Sequence, residues 1–157
     1  GEKLCKMASI LGYEITVIDD RENRATKEIF SEASKLLVGD ILENLGKVHI
    51  DEHTSIVIVT HAHKFDQTAL EAVIDSNAGY IGMIGSVSKV RICFKNLREK
   101  GISDELIDRV YSPIGLDIGG ESPEEIALSI MAQIQAVNHN KNVPHMNHIM
   151  KQQNQEG

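Results

Sequence analysis

Short β-branched, apolar runs alternate with stretches of helical periodicity along this chain, and that alternation constrains its fold more than any other feature. Glu14-Ile-Thr-Val-Ile-Asp19, Ser34 to Val38, Ser55-Ile-Val-Ile-Val-Thr60 and Tyr80-Ile-Gly-Met-Ile-Gly85 read as strands, with a last short one at Val110 and Tyr111. Residues 3–11 place Leu4, Met7, Ala8 and Leu11 on one helical face and stop at Gly12. The polar segment 21–33 carries a short helix at best, and Asp40 can cap a short helix over Ile41–Leu45. A helix over 65–76 directs Leu70, Val73 and Ile74 inward. Ser86 opens another that runs to about Lys100 with Val90, Phe94 and Leu97 inward, and a shorter helix follows Ser103. Ser122, Pro123 and Glu125 form a capping box for a final helix whose inner stripe is Ile126, Ile130, Ile134 and Val137.

Strands and helices in alternation predict an α/β chain: a doubly wound, mostly parallel sheet with helices on both faces. The continuous apolar run at 55–60 predicts a strand buried on both faces. At 157 residues the chain fits one domain, here residues 1–139, followed by a polar and flexible tail over 140–157. The net charge of −7 is spread without a basic tract, which argues against nucleic acid or an anionic membrane as partner. No stretch approaches the roughly 20 apolar residues of a membrane span. Cys5 and Cys93 are far apart in sequence and read as buried structural thiols in a reducing, cytoplasmic setting.

A dinucleotide-binding domain opens with a strand, a Gly-rich turn, a helix, a second strand and an acid. This chain offers the helix, the second strand and the acid, Asp19, while Gly1 lies 18 residues before it, where the last glycine of such a turn belongs. The expectation is a sheet lacking its first strand and Gly-rich turn, and so an N-terminally incomplete domain. That strand is central in the usual order. About five buried apolar side chains at roughly 1.5–3 kcal/mol each amount to about 7–15 kcal/mol, the size of a domain's whole net stability. The sheet is therefore expected to pair with another chain, as a homo-oligomer would allow, or to close up around the gap.

Ligands of such sheets sit outside the carboxyl ends of the strands, so candidate chemistry lies just after each strand. Asp19 can accept from a ribose hydroxyl and Arg21 can meet a 2′-phosphate. His61, His63 and Asp66 can form a hydrogen-bonding cluster for a ligand, hold a divalent metal, or serve structure alone with Asp66 as a helix cap. Gly82, Gly85 and Ser86 with Lys89 form a glycine-bearing turn at a helix N-terminus, suited to a phosphate or to close packing. Gly115 and Asp117 lie in the loop 113–120, which is either a substrate-facing element or a tight crossover. An NAD(P)-dependent oxidoreductase and a His/Asp metal-dependent hydrolase are alternative readings of these residues.

Five segments taken together resemble the C-terminal, Rossmann-like domain of the xanthine dehydrogenase accessory proteins, the XdhC/CoxI family. They are Val17-Ile-Asp-Asp-Arg21, Thr60-His-Ala-His63 with Asp66, Tyr80-Ile-Gly-Met-Ile-Gly-Ser86 with Lys89, Pro113-Ile-Gly-Leu-Asp-Ile-Gly119, and Ser122-Pro-Glu-Glu-Ile-Ala-Leu-Ser-Ile130. The resemblance implies a maturation factor for a molybdenum hydroxylase rather than a catalyst. Such a factor binds the molybdenum cofactor (molybdopterin), protects it while a cysteine desulfurase supplies its sulfido ligand, and passes it to the apo molybdenum hydroxylase. The family's domain normally opens with a Gly-rich turn, of which only Gly1 could match here, and follows an N-terminal domain with its own cysteine-containing motif.

Overall fold

The computed structural model describes residues 1–143 apart from residue 62; of residues 63 and 64 only the backbone is described. The expected flexible tail thus lies almost wholly outside the described residues. Among the described residues six helices and five strands follow one another: α1 (Glu2–Ile10), β1 (Thr16–Asp19), β2 (Lys35–Val38), α2 (Ile41–Leu45), β3 (Ser55–Ile58), α3 (His63–Val73), β4 (Tyr80–Met83), α4 (Val87–Glu99), α5 (Asp104–Asp108), β5 (Val110–Tyr111) and α6 (Pro123–Asn138). Each strand predicted from the sequence is present, the first four shortened by one or two residues.

Local chemistry sets the helix ends. Asp40 accepts from the backbone N–H of Glu43 at 2.8 Å and starts α2. Ser103 does the same for α5 through the N–H of Leu106. At α6 the Ser122 side chain takes the Glu125 N–H while Glu125 reaches back to the Ser122 N–H at 2.9 Å, so the expected capping box is complete. Segment 21–33 holds turns rather than a regular helix, yet buries Ala25, Phe30 and Ala33.

All strand pairs are parallel, but they form two sheets: β1 with β2, and β3–β4–β5. The four residues of β4 are all buried. On one side Leu70, Val73 and Ile74 of α3 and Cys93 and Leu97 of α4 join Ile58, Ile81 and Met83. On the other, Tyr80 packs with Ile130, Met131 and Ile134 of α6, against Leu4, Met7 and Ala8 of α1. A smaller cluster of Cys5, Phe30 and Ala33 supports β1 and β2.

The expectation that β3 is buried on both faces does not hold. Only Ile58 is buried, while Ser55, Ile56 and Val57 keep partial access to solvent. β1 is still more open, with none of its residues fully buried. The physical reason is pairing: β4 has a neighbour on each edge, whereas β1 and β3 each have one.

Leu97 is fully buried and Leu128, on the outer face of α6, is 51% exposed. Leu97→Ala is expected to lower the unfolding free energy by about 2–5 kcal/mol, read as a fall in the urea midpoint at unchanged slope. Leu128→Ala should stay within about 0.5 kcal/mol of the parent protein.

Candidate functional site

The strands' carboxyl ends share one edge of the molecule, and most of the candidate residues gather there. At the end of β1, Arg21 grips Asp19 from two sides: Nε donates to Oδ1 and Nη2 to Oδ2, both at 2.9 Å. The Arg21 backbone N–H adds a third bond to Oδ1 at 3.0 Å. Burial alone would raise the Asp19 pKa, but these bonds outweigh it and hold the carboxyl below its ordinary value. The two groups expected to read a ribose and its phosphate are thus engaged with each other. Gly1 caps α1 nearby, and its α-amino group lies in the field of Asp19.

Beyond β3, Asp66 is a structural tie. It is buried in the first turn of α3 and accepts the Thr60 backbone N–H at 3.0 Å and the Thr60 hydroxyl at 2.7 Å, locking strand end to helix start. His61 points elsewhere: its Nδ1 is 3.7 Å from Asp20 Oδ1, and its ring lies tilted against Phe65 at 5.3 Å. The His63 side chain lies outside the described residues. Asp20 also faces a cavity of about 260 Å³ with Asp40, Ile41, Leu42, Phe65 and Thr68.

Beyond β4, a cavity of about 200 Å³ opens between α3 and α4, with Asp66, Gly85, Lys89 and Cys93 among its walls. The Ser86 hydroxyl makes no cap bond to a backbone N–H of α4 and pairs instead with the Ser88 hydroxyl at 3.1 Å. The first turn of α4 carries no acid, and Lys89 lines the cavity together with the Asp66 carboxylate. Burial pushes the Cys93 thiol up to about 11, so it sits as a neutral wall. Gly82 does not face this cavity. A Cβ there would lie 2.5 Å from Ile114 and 2.6 Å from the Tyr80 hydroxyl, so this glycine permits close packing under the 113–120 loop.

That loop is clamped from α6. Gln133 Oε1 accepts the Gly115 N–H at 2.9 Å and the buried Tyr80 hydroxyl at 2.7 Å, while its Nε2 donates to the Gly115 carbonyl at 3.1 Å. One turn earlier, Ser129 donates to the Leu116 carbonyl at 2.5 Å. Gly115 has φ of +99°, and a Cβ there would collide with Ser129, so only glycine fits. Ile114 N–H and the Ser112 hydroxyl both bond the Met83 carbonyl, at 3.1 and 2.9 Å, which pins the loop to the end of β4. Asp117 is left exposed at its tip. The sequence singled out Gly115 and Asp117 but missed Ser129 and Gln133. The signal was their spacing, four apart on α6 and so on one face of it.

Residues 1–134 match the family described as the XdhC Rossmann domain. The chain is 30% identical over 131 residues to a probable xanthine dehydrogenase component of Bacillus subtilis (strain 168), covering 83% of this chain and 38% of that protein. It is 24% identical over 98 residues to the molybdenum cofactor insertion chaperone PaoD of Escherichia coli (strain K12), covering 62% and 31%. The crystal structure of a xanthine dehydrogenase from Bacillus halodurans superimposes with a TM-score of 0.76 at 32% identity, covering 90% of this chain and 40% of that one. The chain therefore spans between 31% and 40% of the length of these proteins.

Gln133→Ala removes the acceptor of a buried hydroxyl and both bonds to Gly115. It is expected to cost about 1–3 kcal/mol and to speed amide exchange at Gly115 while leaving that of Leu97 unchanged. The Asp19 pKa is lower folded than unfolded. Its contribution to stability is therefore complete above the unfolded value near pH ~4 and is lost as pH falls through the folded value. Arg21→Ala should flatten that part of the stability–pH curve, measured by urea unfolding between about pH 2 and 6.

Proposed function

The chain belongs to the XdhC Rossmann domain family, and we propose on that basis that it is the cofactor-handling part of an accessory protein for a xanthine dehydrogenase-type molybdenum hydroxylase. Its cargo is the molybdenum cofactor, which it holds and releases to the apo-enzyme without turnover of its own. Protection of the cofactor during sulfuration by a cysteine desulfurase completes this reading, and the name of the chaperone PaoD supports its insertion step.

The observation that carries the proposal is the cavity between α3 and α4. It sets Gly85 and Lys89, beside the acid-free first turn of α4, against an apolar lining that includes Met83, Ile84 and Val90, with the Thr60-bound Asp66 also in its wall. Backbone N–H groups and an ammonium suit a phosphate, and the apolar wall excludes water around it. At about 200 Å³ the cavity is smaller than the ~300–1,000 Å³ of a complete small-molecule site, so it fits the phosphate end of a pterin rather than the whole. Gly85, Ser86 and Lys89 are assigned to that end. His61, His63 and Asp117, set along the same edge, are assigned to the pterin.

The bidentate Asp19–Arg21 pair weighs against the nicotinamide-dinucleotide reading, since a ribose would have to displace Arg21 from the carboxylate.

Molybdenum cofactor released from a donor enzyme is expected to co-elute with the protein on gel filtration. Lys89→Ala should weaken retention by roughly 5–10-fold, the scale of a charge-assisted hydrogen bond. Absence of retention by the parent protein counts against the proposal.

A further inference from the structure

α4 is the basic element of an acidic protein. Its 13 residues hold four cations, Lys89, Arg91, Lys95 and Arg98, and one acid, Glu99, while the chain carries a net charge of −7. Acids gather elsewhere: α5 and α6 hold five of them and no Lys or Arg. The cations of α4 stand two to four apart in sequence and so form no tract. The helix collects them, because Arg91, Lys95 and Arg98 follow the i, i+4, i+7 spacing and share one exposed face with Val87. Val90, Cys93 and Leu97 take the buried face.

The exposed face is also more apolar than a solvated helix requires. Val87 and Ile92 are 55% and 61% exposed, and Ile84, just before the helix, is exposed as well. Single exposed apolar side chains are ordinary, but here three large ones fall within residues 84–92, beside the cations. Arg98 is occupied by Asp104 of α5, its Nε donating to Oδ1 at 2.6 Å, and Lys95 stands 3.7 Å from Glu99. Among the described residues no ion pair or hydrogen bond engages the Arg91 guanidinium. Its planar fork is left for a carboxylate from outside the chain. Ile84 and Ile92 also line the cavity between α3 and α4, so this face runs into the cavity mouth.

We propose that the exposed face of α4 is a docking surface for a protein partner, and that the partner presents an acidic segment with carboxylates set around an apolar side chain. Arg91 takes a carboxylate through both arms of its guanidinium, while Val87 and Ile92 pack on the apolar anchor and keep water from it. The negative charge of the whole chain does not bar such a partner. At physiological ionic strength charges are screened over about 8 Å, so a docking segment meets the cations of α4 rather than the net charge. A polyanion fits less well. Nucleic acid and anionic lipid draw on many cations at once, and here Lys95 and Arg98 already face acids of the protein. A partner seated on α4 covers the cavity mouth, yet the inference is independent of what the cavity holds.

The test titrates the protein with a short fluorescent peptide of alternating Glu and Leu pairs, followed by anisotropy and by amide NMR shifts. The largest shifts are expected over residues 84–95. Arg91→Glu should weaken binding about tenfold or more, and Ile92→Ser should weaken it as well. Lys35→Glu, at an exposed position on β2, changes the net charge equally and should leave binding unchanged. A peptide with Ser in place of Leu should bind more weakly than the Glu/Leu peptide. Urea midpoints verify that each variant is folded. No binding by the parent protein, shifts centred away from α4, or equal losses in Arg91→Glu and Lys35→Glu would overturn the proposal. Tighter binding of phosphatidylserine vesicles or of an oligonucleotide than of the peptide overturns it in favour of a polyanion. A dimer, seen in sedimentation, that Arg91→Glu dissolves overturns it in favour of a second copy of the chain.

Discussion

A parallel strand inside an α/β domain must have both edges hydrogen-bonded and both faces covered, and β4 is the strand that meets this condition. β3 and β5 flank it, α3 and α4 lie on one face, and α6 lies on the other. The rest of the architecture is arranged around that satisfied strand. Ile81 and Met83 anchor the main core, and Tyr80 anchors the second through its ring and its hydroxyl. Where the condition is half met, at β1 and β3, burial falls away residue by residue. Packing and pairing are the same fact seen from two directions: an edge that lacks hydrogen bonds also lacks the side chains that would close it.

The carboxyl edge inherits its order from this centre. The 113–120 loop is fixed because Gln133 satisfies at once a buried tyrosine hydroxyl and both backbone groups of Gly115. Core and loop are thus coupled through one amide side chain. The α4 turn depends on β4 in another way. Met83 ends the strand by accepting from the crossing loop, which frees Gly85 and Ser86 to begin the helix at the cavity mouth. Charge is distributed accordingly. On the β1 side Asp19 pairs with Arg21, while Lys89, the acid-free first turn of α4 and the Thr60-bound Asp66 stand at the cavity beyond β4.

Much of the fold was legible in the sequence, because period and capping are local. The β-branched runs became strands, Asp40, Ser103 and Ser122 became caps, and Leu70, Val73, Ile130 and Ile134 became core. The candidate site was legible in composition but not in role. The spacing leaves Gly82 and Gly85 open to a phosphate turn or to close packing, and the strand turns the vacant Cβ position of Gly82 toward Ile114 and Tyr80. Sequence spacing leaves Asp66 open to a ligand cluster, a metal or a structural cap, and its carboxylate accepts from Thr60 at the start of α3. Motif spacing identifies residues that lie near one another; it does not state which way each one points.

The sequence by itself determined the alternation of strands and helices, the ends of most helices and the family to which the chain belongs. These follow from interactions among residues a few positions apart, and from motif order. Only the tertiary structure decided that the strands divide into two sheets, that Gln133 holds a loop 18 residues away, and that Arg21 closes on Asp19. Those outcomes depend on which backbone and side-chain groups find partners across space. A hydrogen bond unmade at a strand edge leaves no mark on the local pattern that created the strand.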